Sequence, residues 1–295
     1  MNTYIPFGNV ITAMVTPFKS NLDVDFDQAI KLAHHLIETG TDTLLLAGTT
    51  GESPTLTHSE EFELFKTIKD SVGKRVHVMA GTGSNCTKTA IQATKKAQEA
   101  AIDSVLQVVP YYNKPSQQGM IAHFSAIAEN TTLPIMLYNI PSRTGSFLEP
   151  SSVLKLSSLP NVCAIKEASG SVETVATLNE LVPEDFLIYS GDDGKTLEFL
   201  KNGAVGVVSV ASHCMGQKIQ DMIKAYKINN LDQAHQIHDE LNTLFDVLFI
   251  TSNPVPVKYA LSKQRLCLEN VRLPLVHATS EQKQAIDNVL NSLGI

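Results

Sequence analysis

Cysteine is scarce and scattered. Cys86, Cys163, Cys214 and Cys267 form neither a metal-ligand spacing nor a redox pair. Cys163 lies inside an apolar run, where a thiol acts as a small hydrophobe. Such usage fits a reducing cytoplasm. No apolar run approaches the roughly 18 residues of a membrane span. The start, Met1 to Gly8, has no basic stretch leading into an apolar one, so no leader is expected. Basic residues are not in surplus either. The net charge is −7, with Lys and Arg dispersed, which argues against nucleic-acid and membrane-surface partners. No Gly-rich fingerprint follows the first apolar run, no Gly/Ser/Pro-rich linker divides the chain, and no low-complexity tract interrupts it. What remains is an ordinary globular composition, 43% hydrophobic and 18% charged, in 295 residues. That length suffices for one large domain or two modest ones.

What is present is an alternation. Short apolar runs occur at 9–16, 43–47, 76–79, 104–109, 134–137, 162–165, 186–189 and 206–210. Amphipathic helices fill the gaps between them. Asp25 with Gln28, and Thr57 with Glu60, have the spacing of capping boxes, and Gly40 is placed to stop the first helix. Further helices are expected near 117–129, 151–156 and 172–181. Strands alternating with helices imply right-handed crossovers and a parallel sheet. Eight units in about 200 residues match a closed (β/α)8 barrel better than an open doubly wound sheet. From Gln217 the pattern is helical only, with candidates at 219–228, 231–248 and 279–293. The expected division is a catalytic barrel over 1–228 and a C-terminal helical domain over 229–295, with Pro254 and Pro256 in a connection.

In such a barrel the loops after the strand C-termini carry chemistry. The sixth run, Val162 to Ile165, ends in Lys166 with Glu167 beside it. Read alone, a lysine there more often caps a strand and snorkels to solvent. Its company changes that reading. Thr49 and Thr50 follow the second run, Tyr111 and Tyr112 the fourth, Tyr138 and Arg143 the fifth, and Gly191 the seventh. Strand-end tyrosines alone are usually packing amphiphiles; a lysine, tyrosines, paired threonines and an arginine at one rim are harder to dismiss. A desolvated lysine amine can attack a carbonyl and form a Schiff base. A neighbouring tyrosine can move the protons this requires. Turn amides and hydroxyls in Gly48–Gly51 suit a small carboxylate, and Arg143 suits a second one. Strand alternation should turn Glu167 away from the mouth.

Other clusters are weaker. His235 and His238 stand three apart on a helix with nothing to complete a metal site, and no metal or cofactor is expected. Asp192 and Asp193 are explained by a Gly/Asp-rich turn. Gly81-Thr-Gly83 is too short for a phosphate loop. His34 and His35 read as surface residues of a helix.

With these residues placed, the sequence resembles the dihydrodipicolinate synthase family, within the superfamily of the N-acetylneuraminate lyases. The resemblance runs over nearly the whole chain. It rests on Gly-Thr-Thr-Gly-Glu-Ser at 48–53, Pro-Tyr-Tyr-Asn-Lys-Pro at 110–115 and Tyr-Asn-Ile-Pro-Ser-Arg-Thr-Gly at 138–145. Ile-Lys-Glu-Ala at 165–168, Ser-Gly-Asp-Asp at 190–193 and Asn-Pro-Val-Pro-Val-Lys at 253–258 add to it. The resemblance implies condensation of pyruvate, held as a Schiff base on Lys166, with L-aspartate 4-semialdehyde, on the route to lysine and diaminopimelate. It implies proton transfer by Tyr138, relayed through Thr49 and Tyr112. It also implies a homotetramer built as a dimer of dimers, in which Tyr112 comes from the neighbouring subunit. Thr50 and the Val208 backbone match pyruvate contacts, Gly191 falls in the substrate site, and Arg143 matches the arginine that receives the aldehyde's carboxylate.

Arg143 and the Gly-Thr-Thr-Gly form argue against the rival reading, a related aldolase acting on N-acetylneuraminate or a 2-keto-3-deoxy acid. The intact set argues against a non-catalytic binding protein. Lysine-inhibited members of the family bind lysine near positions matching Ser53, Pro54, His58, Glu61, Asn85, Thr89 and Tyr111. Ser53, His58, Asn85 and Tyr111 are compatible with that. Regulated members typically carry glutamate at the position of Thr89 and histidine at that of Glu61, so weak or absent lysine inhibition is expected.

Overall fold

The computed structural model describes residues 7–295. The expectation of no leader rests on the first residues, of which 1–6 lie outside the described part. Each short apolar run becomes a strand. In chain order the elements are β1 (Val10–Ala13), α1 (Phe26–Glu38), β2 (Thr43–Leu46), a 3-10 turn (Ser53–Thr55), α2 (His58–Val72), β3 (His77–Gly81) and α3 (Thr87–Glu99). There follow β4 (Ser104–Val108), α4 (Gln117–Ala128), β5 (Ile135–Asn139), the single turn α5 (Pro141–Thr144), α6 (Pro150–Leu156), β6 (Val162–Glu167) and α7 (Val172–Leu181). The chain ends with β7 (Leu187–Ser190), α8 (Thr196–Lys201), β8 (Gly206–Ser209), α9 (Ser212–Lys227), α10 (Leu231–Val247), α11 (Val255–Lys263) and α12 (Ser280–Leu293). The eight strands pair in sequence order, all parallel, and β1 closes on β8 with Ile11 opposite Val208. This is a (β/α)8 barrel with further helices after it.

Alternation along each strand sorts the core into two layers. Ile11, Leu45, Met79, Leu106, Met136, Ala164, Leu187 and Val208 fill the barrel. Val10, Leu44, Leu46, Val78, Val105, Leu137, Ile165 and Ile188 face outward against the helices. Every strand is apolar on both faces because both faces are buried.

Three details differ from the sequence reading. Asp25 does cap α1 by accepting from the Gln28 amide, but the Gln28 side chain turns to the Leu266 carbonyl instead of closing a box. The Thr57–Glu60 box is complete. A helical turn from Ser212 precedes the main run of α9 and is kinked from it at Met215 (φ −137°, ψ 40°), so helical structure starts earlier than Ile219. The Ser209 hydroxyl accepts from the Ser212 amide, and Asp193 accepts from the Val210 and Ala211 amides. Helix α11 occupies what reads as a proline-punctuated connection. Its prolines stand at its start, where a missing N–H removes no helical bond.

His213, 1% exposed, joins β8 and α9 to the segment after β1. Its Nε2 accepts from the Val15 amide at 3.1 Å, and its Nδ1 faces the Val210 carbonyl at 2.8 Å. Those partners require the neutral ring with its proton on Nδ1. Burial accordingly holds its pKa down to about 4, from an ordinary 6.5. Below pH 6.5 the unfolded chain takes up a proton that the folded chain refuses, so stability is full above that pH and falls until about pH 4. The loss expected from this group is roughly 3 kcal/mol. His123 is held down to about 4 by burial as well. The His213 share is therefore the difference between the protein and His213→Gln, which keeps an acceptor but cannot titrate, in denaturant unfolding at pH 7 and pH 4.5; the variant's slope should be the flatter.

Candidate active site

Strand β6 does not stop before its lysine. It continues through Lys166 and Glu167, both buried. In register, Lys166 lies between Tyr138 of β5 and Tyr189 of β7. In-register neighbours of parallel strands share a face, so the three side chains stand together inside the barrel. The Lys166 Nζ is 4.2 Å from the centre of the Tyr138 ring. Among the described residues no carboxylate pairs with it. Glu167 faces the other way, accepting from the Asn139 side chain at 2.9 Å and the Ser169 amide at 2.6 Å. Burial pushes its carboxyl above the ordinary range.

The two flanking tyrosines differ. The Tyr189 hydroxyl donates to the Gly8 carbonyl at 2.8 Å, and burial pushes its pKa well up. It is committed to the structure. Tyr138, 5% exposed, lines a cavity of about 470 Å³ with Thr49, Leu106, Val108 and Arg143. Its hydroxyl has no partner among the described residues. Lys166 is therefore flanked by one tyrosine whose hydroxyl is hydrogen-bonded and one whose hydroxyl is not.

Gly191 packs against Lys166. Its amide donates to the Glu167 carbonyl at 2.8 Å. A Cβ at that position would stand 3.0 Å from Lys166 Cε and 2.6 Å from Ala168 Cβ. Val208 is a barrel-interior residue. Thr50 is 3% exposed, and its hydroxyl accepts from the Asn253 side chain at 2.9 Å. Arg143, on α5, is exposed at the cavity mouth and makes no ion pair among the described residues. Tyr112 stands apart: it is 89% exposed with φ of +72°, and it does not line the cavity.

The same cavity extends past Thr49 to Ser53, Pro54, His58, Glu61, Thr89 and Tyr111. Asn85 sits behind them, donating to the Tyr111 carbonyl at 3.2 Å. Glu61 accepts from Ser53 Oγ at 2.7 Å and lies 3.2 Å from His58 Nδ1, while burial pushes its carboxyl up. No group of three or more His, Cys, Asp or Glu side chains suited to a metal ion occurs among the described residues. His238 bonds the Gly194 carbonyl, and Asp193 ties the loop after β7 to that after β8.

The model of the dihydrodipicolinate synthetase family matches residues 6–293. A 4-hydroxy-tetrahydrodipicolinate synthase of Synechococcus elongatus is 54% identical over 291 residues, covering 98% of this chain and 97% of that one. The chain belongs to the dihydrodipicolinate synthetase family. A second relative in the family, the 4-hydroxy-tetrahydrodipicolinate synthase of Desulforamulus reducens, is 50% identical over 290 residues, covering 98% of both chains. The crystal structure of a dihydrodipicolinate synthase from Bacillus anthracis aligns with a TM-score of 0.96 at 47% identity, over 98% of this chain and 99% of that one. The synthase from Cyanidioschyzon merolae, solved with lysine bound, aligns with a TM-score of 0.96 at 48% identity, over 98% of both chains.

Within this family fold, sequence reasoning noted the 253–258 motif without giving it a role. The structure brings it against the 48–53 motif through two buried bonds, Asn253 to Thr50 and Lys258 to Glu52. The signal available in the sequence was Lys258 itself, a lysine inside an apolar stretch. For Gly191 the geometry yields a direct test. Gly191→Ala displaces the Lys166 side chain, so borohydride trapping of a small 2-oxo acid on that lysine should slow by about tenfold or more, as expected for a reacting atom moved off line. Retention of the circular-dichroism melt shows that the fold is intact.

Proposed function

We propose that this protein is a Schiff-base lyase, a 4-hydroxy-tetrahydrodipicolinate synthase that condenses pyruvate with L-aspartate 4-semialdehyde. The observation that carries the reading is the barrel-interior pair of Lys166 and Tyr138, in register with the amine 4.2 Å from the ring centre. The Lys166 amine attacks the pyruvate carbonyl, water leaves, and an imine forms. Loss of a methyl proton gives the enamine, whose carbon attacks the aldehyde. The aldehyde substrate's own amine then displaces Lys166 as the ring closes. Tyr138, whose ring faces the amine and whose hydroxyl has no partner among the described residues, delivers and takes back protons at the imine. Thr49, on the same cavity wall, and Tyr112 relay them.

Thr50 and the Val208 backbone hold pyruvate, with Gly191 leaving room for the lysine. Arg143 at the cavity mouth receives the carboxylate of the semialdehyde as a planar, bidentate donor. The exposure and left-handed backbone of Tyr112 suit a residue whose partner is another subunit, and the reading makes it a contribution across the dimer of a homotetramer. Catalysis belongs to the barrel over 1–228, supported by the helices of 229–295. The four free thiols fit a cytoplasmic setting.

Borohydride reduction in the presence of pyruvate, followed by mass spectrometry, tests the covalent step. A pyruvate adduct on Lys166 is expected, and its absence would overturn the reading. Tyr138→Phe should lower kcat by about 10²–10⁴-fold, the range for loss of a positioned acid–base group. Turnover of L-aspartate 4-semialdehyde but not N-acetylneuraminate separates this synthase from the sugar-acid aldolases.

The second end of the cavity suggests an effector site made by Ser53, His58, Asn85 and Tyr111. Its one carboxylate, Glu61, is already engaged by Ser53 and His58 and is disfavoured as an anion by burial. Thr89 offers no charge to an effector ammonium. Lysine should therefore inhibit weakly or not at all. Inhibition at sub-millimolar lysine in a coupled assay would contradict this.

A further inference from the structure

A threonine hydroxyl has one proton to give and two lone pairs with which to accept. At Thr50 the accepting side is occupied. Asn253 Nδ2 donates to Thr50 Oγ1 at 2.9 Å, and both residues are buried, at 7% and 3% exposure. Among the described residues nothing accepts the Thr50 proton. A buried hydroxyl that accepts from one side and has its proton free is a donor set toward an anion.

The residue that sets it is itself held. Asn253 precedes α11, and Lys258 on α11 is fully buried. Lys258 Nζ donates to Glu52, two residues beyond Thr50, and to the Asn270 carbonyl at 2.8 Å. The second Glu52 oxygen accepts from the Arg272 amide at 3.0 Å. Residues 50 and 52 are thus cross-linked to 253, 258 and 272. Neither Thr50 nor any of these three C-terminal residues lines the cavity, which Thr50 adjoins through its neighbour Thr49.

We propose that Asn253 is a positioning residue for substrate binding: by donating to the Thr50 hydroxyl it directs the Thr50 proton onto the carboxylate of the 2-oxo acid. The inference rests on the pyruvate reading above. It assigns to the C-terminal helices a part in the affinity for the first substrate, exerted through one hydrogen bond.

The test is the pyruvate concentration giving half-maximal borohydride trapping on Lys166, measured beside the kcat/KM split. In Asn253→Ala the half-saturation and the KM for pyruvate should rise about tenfold, the worth of one buried hydrogen bond to a charged group. The kcat should change by less than the KM. Asn253→Asp, of the same shape, presents only acceptors when ionised and draws the Thr50 proton to itself, so its KM should rise further than that of Asn253→Ala. In a Thr50→Val background Asn253→Ala should add nothing, since its route to the substrate is gone.

An unchanged half-saturation in Asn253→Ala overturns the proposal. So does an equal rise in the Thr50→Val background, which would mean that Asn253 acts by another path. If Asn253→Ala fails to fold by circular dichroism, Asn253→Asp carries the test, and an unchanged half-saturation there overturns it equally. Trapping on the unaltered protein keeps the two readings apart. No adduct there rejects the pyruvate reading itself, whereas an adduct with indifferent Asn253 variants rejects only the positioning role.

Discussion

Closing eight parallel strands into a ring leaves each strand only two directions for its side chains, and the rest of the molecule follows from that division. Once Ile11 pairs with Val208 across the β1–β8 seam, no strand edge remains. A residue then faces either the barrel interior or the helix layer, and a shift of one residue would exchange the two sets. The interior at β5, β6 and β7 receives Tyr138, Lys166 and Tyr189. The helix layer receives Asn139, Glu167 and Ser190 in the next register position. The ring thus groups a lysine amine with aromatic rings before any loop is considered.

Loops complete the site only if they are held, and the loop after β2 is held from far along the chain. Glu52 adopts a left-handed backbone, with φ of +56°, and is 2% exposed. An uncompensated carboxylate there would be costly, and it would oppose an anion bound at Thr50 two residues away. Lys258 supplies the charge and lies 4.0 Å from the centre of the Phe18 ring. Arg272 stacks at 4.5 Å from that ring and is bonded to Glu60 through two nitrogens. Removing one member of a buried pair typically costs about 3–5 kcal/mol, because the other charge is stranded. Here the stranded charge would lie in the loop that carries Thr49 to the cavity wall.

What the sequence disclosed follows the range of the interactions. All eight strands were legible, since each is a short apolar run buried on both faces. The Thr57–Glu60 box was legible because both partners lie within four residues. Helix α11 was not, since two prolines look like breakers until their place in the first turn is known. The early start of α9 depends on Asp193 and Ser209, outside the helix itself. Lys166, Tyr138, Thr49 and Arg143 are candidates from their strand ends; the structure sets Tyr138, Thr49 and Arg143 around one cavity and Lys166 against the Tyr138 ring in the barrel interior. The bond between Asn253 and Thr50 is not legible in the sequence. It spans 203 residues, and the bond of Lys258 to Glu52 spans 206. No periodicity records a pairing at that separation.

The contrast between Lys166 and Glu167 shows how strand geometry separates neighbouring ionisable side chains. Adjacent in sequence, an ammonium and a carboxylate would be expected to pair and to quench the amine as a nucleophile. The pleat sends them to opposite faces of the sheet. Behind the barrel, Glu167 satisfies the Asn139 side chain and the Ser169 amide, bracing β5 against β6 in the register that sets Tyr138 beside Lys166. Inside it, Lys166 meets a ring face and a glycine, neither of which can neutralise its charge. A one-residue slip of β6 would bury the lysine behind the sheet and present the carboxylate to the cavity. The Asn139–Glu167 bond is therefore part of what holds the Lys166 amine inside the barrel against the Tyr138 ring.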